Sequence, residues 1–359
     1  MISINLTTLG WNEFFESAFH TYAAKGYACG RVALEHKHFY RVYSECGEVR
    51  GEIAGRLRHE ALEQGDLPVV GDWVVIRPCP ERDKVTIHAV LPRKSKFTRK
   101  VAGFRTEKQI VASNIDTVFL VTSLNQDFNP RRVERYLIVA WESGARPIII
   151  LSKSDLCDEI EERTREIKAA VGEVPILAIS ILTREGLNEL SRYLKHGQTV
   201  ALLGSSGVGK STLINHLLGH EYLKVQETRE HDGRGRHTTT HRELIVLPQG
   251  GLVIDTPGIR ELQLWDGESG LHVAFADIET AAGHCYFSDC RHRDEPRCAI
   301  REALADGAID RARYQSYEKL QKELTYLARK QDVRAGIAEK KRWKKLSRLA
   351  SQRAQMKRR

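Results

Sequence analysis

The spacing of hydrophobic and polar positions changes character along the chain, and each change marks a region. Within residues 1–27, Trp11, Phe14, Phe15 and Phe19 recur at helix-like intervals, which predicts a short amphipathic helix packed on the next domain. Residues 28–98 carry short runs rich in Val, Ile and aromatics: Gly30 to Leu34, Phe39 to Tyr43, Trp73 to Ile76 and Val85 to Val90. Gly, Pro and charged turns separate them, so four or five strands in about seventy residues predict a small β-barrel.

From residue 99 the pattern becomes a long alternation. Thr117 to Thr122, Pro147 to Leu151, Pro175 to Ile179, Val200 to Leu203 and Leu252 to Ile254 read as buried parallel strands. Helical stretches intervene, including Pro130 to Glu142, with proline at a natural helix start, and Asp158 to Val171. Strand–helix alternation predicts a doubly wound α/β sheet. After about residue 270 the pattern is helical and cysteine-bearing. The expected regions are therefore 1–27, 28–98, 99–272, 273–328 and a basic tail, 329–359. The barrel has the dimensions of an oligonucleotide-binding (OB) barrel.

Charge sharpens this division. The 359-residue chain carries a formal +9, yet residues 329–359 hold 13 Lys/Arg against 2 Asp/Glu, or +11. The rest is slightly acidic, so the tail alone suggests a polyanionic partner such as nucleic acid. No run approaches 18 apolar residues and no signal-like leader is present, so a cytoplasmic protein without membrane association is expected.

The strongest chemical signal is Gly204-Ser205-Ser206-Gly207-Val208-Gly209-Lys210-Ser211, which matches G-x4-G-K-[ST] between an apolar strand and the helix Thr212 to Leu218. Glycines would let successive N–H groups face phosphate oxygens, Lys210 would bridge the terminal phosphates, and the Ser211 hydroxyl would hold Mg²⁺. Downstream, Asp255-Thr256-Pro257-Gly258 ends a strand; Asp255 would hold Mg²⁺ through water and Gly258 would offer its N–H to a γ-phosphate. Between them, Asp232 to Thr240 is polar and glycine-rich, as a nucleotide-sensing switch loop would be. Any of Thr238, Thr239 and Thr240 would complete the Mg²⁺ shell, and Thr239 is the one favoured.

A guanine-reading N-K-x-D does not follow Ser211. Leu151-Ser152-Lys153-Ser154-Asp155 precedes the phosphate loop instead, after a buried strand. Asp155 would accept from guanine N1–H and the exocyclic amine, Lys153 would lie over the ring, and Ser180, ending the next strand, would bring a backbone contact to the guanine carbonyl. The chain has seven cysteines, three of them crowded near the end. Cys285-x4-Cys290-x-His292-x5-Cys298 supplies four ligands for a closed, structural Zn²⁺ site, with His284 the competing imidazole.

Base motif, phosphate loop, switch and D-T-P-G occur in that order, and so the chain resembles a circularly permuted GTPase. More specifically it resembles the small ribosomal subunit biogenesis GTPase family (RsgA), over nearly its whole length. The run Asn129 to Tyr136 and the segment Asp232 to Glu243 look like signatures of that family. The resemblance implies an OB-type barrel, a permuted P-loop GTPase domain and a C-terminal helical zinc-binding domain. It further implies GTP as substrate, with Ser152 to Asp155, Ser180, Gly204 to Thr212 and Gly258 binding it. Cofactors would be Mg²⁺ and one structural Zn²⁺; partners would be the small ribosomal subunit and its rRNA, with the protein itself monomeric.

Two departures stand out. The family pattern has asparagine where this chain has Ser152; asparagine supports the base loop and reaches guanine N7, whereas the shorter serine would reach it through water or not at all. Ile259 stands where ordinary GTPases place a water-orienting glutamine, so intrinsic hydrolysis should be slow or use another group. His237 in the switch is one candidate and a group from the partner is another. Two other classes share some of these features: a nucleotide-switched rRNA-binding module with incidental hydrolysis, and a P-loop kinase acting on a small molecule. The base motif and switch threonines argue against the kinase.

Overall fold

The computed structural model describes residues 4–61, 64–79, 84–100, 108–223, 242–255 and 268–327. Five strands, β1 (Ala28–Glu35), β2 (Tyr40–Ser44), β3 (Gly47–Ile53), β4 (Trp73–Cys79) and β5 (Lys84–Val90), form a closed barrel. Neighbours run antiparallel except β3 and β5, whose parallel pairing joins the two halves, while β1 pairs with both β2 and β4. Val32, Val42, Val74, Ile76, Val85 and Ile87 fill the interior. Gly30 lies where strands approach closely: a Cβ there would stand 2.5 Å from Val42 Cγ1. Strand β3 lies outside the apolar runs, because glycine and charged residues separate its two apolar side chains, Val49 and Ile53, and only Gly47 and Gly51 are fully buried.

Helix α1 (Glu13–Ala23) starts at Asn12, whose side chain accepts from the Phe14 N–H. It lays Phe15 on Trp73 of β4, ring centroids 5.7 Å apart, with Trp11 closer still at 4.8 Å. The basic stretch beginning at Arg93 becomes half of a hairpin, β6 (Lys96–Lys100) with β7 (Lys108–Ser113). Phe97, Val111 and Ala112 anchor it in the main core.

Strands β8 (Thr117–Ser123), β9 (Arg146–Ser152), β10 (Ile176–Ile179), β11 (Thr199–Leu203), β12 (Glu243–Val246) and β13 (Leu252–Asp255) make the second sheet, ordered β10-β9-β8-β11-β13-β12. All are parallel but β12. Every residue of β8 is buried, as a strand covered on both faces requires. Its side chains alternate, Val118 and Leu120 facing one core and Phe119 and Val121 the other. Helices α3 (Pro130–Ser143) and α4 (Ile160–Val171) cover the first face; α6 (Lys210–Leu218) lies on the second. The short α2 (Gly55–Glu60) and α5 (Leu187–Leu190) occupy connections.

Strand β12 also pairs with barrel strand β1 at Leu34 and Glu243, so the two sheets are continuous. Buried charge reinforces the junction. Arg31 donates to the Gly71 carbonyl at 3.2 Å, the Asn114 carbonyl at 2.9 Å and the Leu9 carbonyl. Asp72, fully buried, accepts a two-pronged pair from Arg93 (2.7 and 2.6 Å) and a bond from Ser113.

Helices α7 (Glu268–Ala274), α8 (Ala276–Gly283), α9 (Ala299–Ala305) and α10 (311–327) complete the described chain. Phe275, Ile278, Ile300 and Tyr317 join Leu137 and Ile138 of α3 in one core, so the cysteine-bearing region shares the core of the α/β sheet. Arg313 of α10, almost wholly buried, bonds Asp277 through two nitrogens (2.9 and 2.8 Å) and the carbonyls of Ala274 and Ala170. Among the described residues no helix is long and apolar enough to cross a membrane.

Candidate nucleotide site and metal centre

Parallel strands end on one edge of a sheet, and ligands collect where the connections leave that edge. Ser152 ends β9, Leu203 ends β11 and leads into Gly204, Asp255 ends β13, and Ser180 follows β10. The register sets them side by side: Ser152 is level with Ser123 and Ile179, and Leu203 with Leu120.

The phosphate loop leaves β11 through Gly204, whose φ is 155°. A Cβ there would stand 2.2 Å from the Val121 carbonyl oxygen, so the position admits only glycine. Gly207 and Gly209 also take positive φ, 81° and 96°, and Lys210 opens α6. The helix therefore begins with N–H groups that its own ladder leaves unpaired, where an anion binds. Lys210 is buried, its ammonium donating to the carbonyls of Gly204 (2.7 Å) and Ser205. Ser206, Val208, Ser211 and Thr212 complete the loop and the first turn.

The base loop is built beside it. Ser152 donates to the Val208 carbonyl at 2.7 Å, with the Thr122 carbonyl at 3.3 Å, so the serine supports the base loop directly against the phosphate loop. Lys153 takes a left-handed φ of 60°, which turns the chain at once into the single turn Ser154–Leu156. Asp155 accepts from the Ser180 hydroxyl, and Ser180 in turn accepts from the Thr183 N–H at 3.1 Å. Ser154 is buried under the loop, its hydroxyl without a hydrogen-bond partner among the described residues.

Ser152 to Asp155, Ser180, the phosphate loop and Asp255 thus gather on one edge. His237, Thr239 and Gly258 lie outside the described residues. Two neighbours belong to none of the nucleotide motifs: Ser205 donates to the Asp127 carboxylate at 2.9 Å and accepts from Arg132 at 2.7 Å. Their signal in the sequence is the pair Arg131-Arg132 in the first turn of a helix, where cations oppose the dipole. A cavity of about 1080 Å³ lies elsewhere. It runs between barrel, hairpin and α3, lined by Lys25, Arg56, Lys94 and Lys96 among others.

The second cluster joins Cys285, Cys290, His292 and Cys298, whose ligand atoms all lie within 4.8 Å of one another. His292 Nδ1 stands 3.5 Å from Cys285 Sγ and 3.4 Å from Cys298 Sγ, and those two sulfurs are 3.9 Å apart. A tetrahedron with Zn–S and Zn–N bonds of ordinary length has edges of about 3.6–3.8 Å, so the donor set fits zinc in size and chemistry. His292 reaches the cluster through a left-handed φ of 59°. His284 instead turns Nδ1 to the Thr280 carbonyl at 2.7 Å, on its own helix. Burial raises the Cys285 thiol pKa, but hydrogen bonds from the Ile300 and Ala299 N–H groups, with those of Cys290 and Cys298, together hold the thiol below its usual value.

A family model described as RsgA GTPase matches residues 90–265. A second, described as ABC transporter, matches 187–355, a span that includes the phosphate loop shared by many nucleotide-binding families. The chain is 47% identical over 352 residues to the small ribosomal subunit biogenesis GTPase RsgA of Opitutus terrae, covering 96% of each. It is 46% identical over 319 residues to RsgA 1 of Oceanobacillus iheyensis, covering 88% of this chain and 91% of the relative. Among solved structures it resembles YjeQ from Thermotoga maritima, with TM-score 0.64 and 30% identity over 83% of this chain and 99% of that one. It also resembles YloQ, described as a circularly permuted GTPase, with TM-score 0.62 and 25% identity over 83% and 95%.

Proposed function

The chain belongs to the RsgA family of small ribosomal subunit biogenesis GTPases, and from that premise we propose that it hydrolyses GTP to GDP and phosphate during late assembly of the small ribosomal subunit. The observation that carries this reading is the bond from Ser152 to Val208, which joins a guanine-type base loop to a phosphate loop on one sheet edge.

Phosphate-loop N–H groups and the start of α6 hold the phosphates, and Lys210, held by its loop carbonyls, turns its remaining N–H to phosphate oxygens. Asp155, oriented by Ser180, accepts from guanine N1–H and the exocyclic amine, groups adenine lacks. Water attacks the γ-phosphorus in line as the bond to the bridging oxygen breaks, and the growing negative charge falls where Lys210 and the loop amides stand. Ser211 and Asp255, with Thr239, would hold Mg²⁺, which when bound neutralises charge on the β- and γ-phosphates. Gly258 would contact the γ-phosphate and His237 would orient water, the place left by Ile259. Cys285, Cys290, His292 and Cys298 would hold one structural Zn²⁺, with no open position for chemistry.

The protein acts as a cytoplasmic monomer on the small subunit and its rRNA, bound when GTP-loaded and released after hydrolysis. The +11 tail supplies the salt-sensitive attraction such binding needs. GTP turnover measured with small and with large ribosomal subunits tests the whole reading. Stimulation by the small subunit alone is expected; binding without any change in turnover would leave a nucleotide-switched rRNA-binding module instead.

A further inference from the structure

The Asn129–Arg135 run is explained by none of the roles above, yet its side chains reach in two directions. Asn125 folds the approach to α3, accepting from Ser123 Oγ at 2.7 Å and from the Asp127 N–H at 3.0 Å. Asn129 then caps the helix by accepting from the Arg132 N–H at 3.2 Å, with Pro130 in the first turn. Arg131 and Arg132 follow, in a first turn that contains no acidic residue, where the helix dipole disfavours positive charge.

Each arginine finds its compensation outside that turn. Arg131 bonds the Glu134 carboxylate at 2.9 Å and the Ala312 carbonyl of α10 at 2.7 Å, and Glu134, buried, also accepts from Ser316. Arg132 bonds Asp127 at 2.7 Å and Ser205 Oγ at 2.7 Å, while Ser205 donates its one hydroxyl proton to Asp127 at 2.9 Å. Donors and acceptors therefore close around a three-membered ring. One face of the α3 start is held by α10 and the other holds the phosphate loop.

Ser205 is the residue whose main-chain carbonyl, with that of Gly204, receives the Lys210 ammonium. We propose that Asp127 and Arg132 are positioning residues for GTP hydrolysis: gripping Ser205, they set the stretch of loop that locates Lys210 against the phosphates. This rests on the GTPase reading above. Displacing a phosphate-binding lysine by a fraction of an ångström acts on the transition state more than on ground-state nucleotide binding, because charge on the transferred group changes during reaction.

The test is steady-state and single-turnover GTP hydrolysis by full-length wild type, Arg132→Ala, Arg132→Lys, Ser205→Ala and the Arg132→Ala/Ser205→Ala double variant, with fluorescent GDP affinity measured alongside. The expected result is a fall in kcat of about tenfold in each single alanine variant with KM and GDP affinity changed less than about twofold. The double variant should be no slower than the singles, since both remove one ring, and Arg132→Lys should recover part of the loss. Side chains of Arg132 and Asp127 are about one-third and two-fifths exposed, so these variants should fold, and unchanged melting temperatures would confirm it. An unchanged kcat, a loss confined to KM, or multiplicative losses in the double variant would each overturn the proposal. Failure of wild type itself to hydrolyse GTP, with or without small subunits, would instead overturn the GTPase reading.

Discussion

The Ser152 hydroxyl donates to the main-chain carbonyl of Val208, 56 residues along the chain, at 2.7 Å. The proposed base and phosphate loops are therefore held at a fixed spacing by one short side chain. Replacing Ser152 with alanine leaves a buried carbonyl without its side-chain donor, at a cost of about 1–2 kcal/mol. Equilibrium binding of GDP should weaken by roughly five- to thirtyfold in Ser152→Ala, whereas an affinity within twofold of wild type would refute the coupling.

Asp155, set by Ser180, is the proposed base discriminator. An amide there offers a donor to guanine N1–H, which is itself a donor. Asp155→Asn should lose about a hundredfold or more in GTP affinity and gain preference for XTP. Calorimetric titration with both nucleotides decides it; unchanged GTP binding would refute the assignment.

The Cys285–Cys298 cluster lies in the connection between α8 and α9, helices that share the main core, so zinc should stabilise more than its own loop. Metal analysis of gently purified protein should find one zinc per chain. Cys290→Ser or a strong chelator should remove it and lower the melting temperature, because the ion ties down a connection too short to have a core of its own. Protein free of zinc with an unaltered melting curve would contradict this.

Burial raises the Asp277 pKa, but the hydrogen bonds and charge of Arg313 outweigh it and hold the carboxyl below its ordinary value. A lowered folded pKa gives stability that is present above the unfolded value and lost as pH falls through the folded one. Denaturant unfolding should therefore show Asp277→Asn less stable than wild type at pH 7, with the gap closing as pH drops below about 4. Arg313→Ala should cost more, about 1–3 kcal/mol, because it also strips the donors from the Ala274 and Ala170 carbonyls.

Glu134 has the opposite sign. Burial lifts its carboxyl above the ordinary glutamate value, despite bonds from Ser316 and Arg131. Its stabilising contribution is complete below the unfolded pKa and declines as pH rises through the folded one. Glu134→Gln should accordingly flatten the fall in stability between about pH 4.5 and neutrality. A slope equal to that of wild type would show that Glu134 is not the titrating group.

Much of this protein was legible from local pattern. The phosphate loop is eight consecutive residues between a strand and a helix, and its chemistry resides in those residues, so G-x4-G-K-S declares itself wherever it folds. The same holds for β8, β9 and β11, whose uninterrupted apolar runs reflect burial on both faces. It holds equally for the cysteine and histidine spacing, because a metal cluster within fourteen residues needs little help from the rest of the chain.

Tertiary structure decided what periodicity does not encode, namely which partner an element meets. Strand β3 is polar and glycine-rich, and it became a strand through pairing with β2 and β5. The joining of β12 to β1 ties barrel to GTPase sheet, while Ser152 found Val208 and Arg132 found Ser205 across 56 and 73 residues. Hydrophobic spacing reports that a face is buried. The bonds that fix one loop against another depend on chain crossings that no local run of residues records, and in this protein those crossings set the geometry of the site.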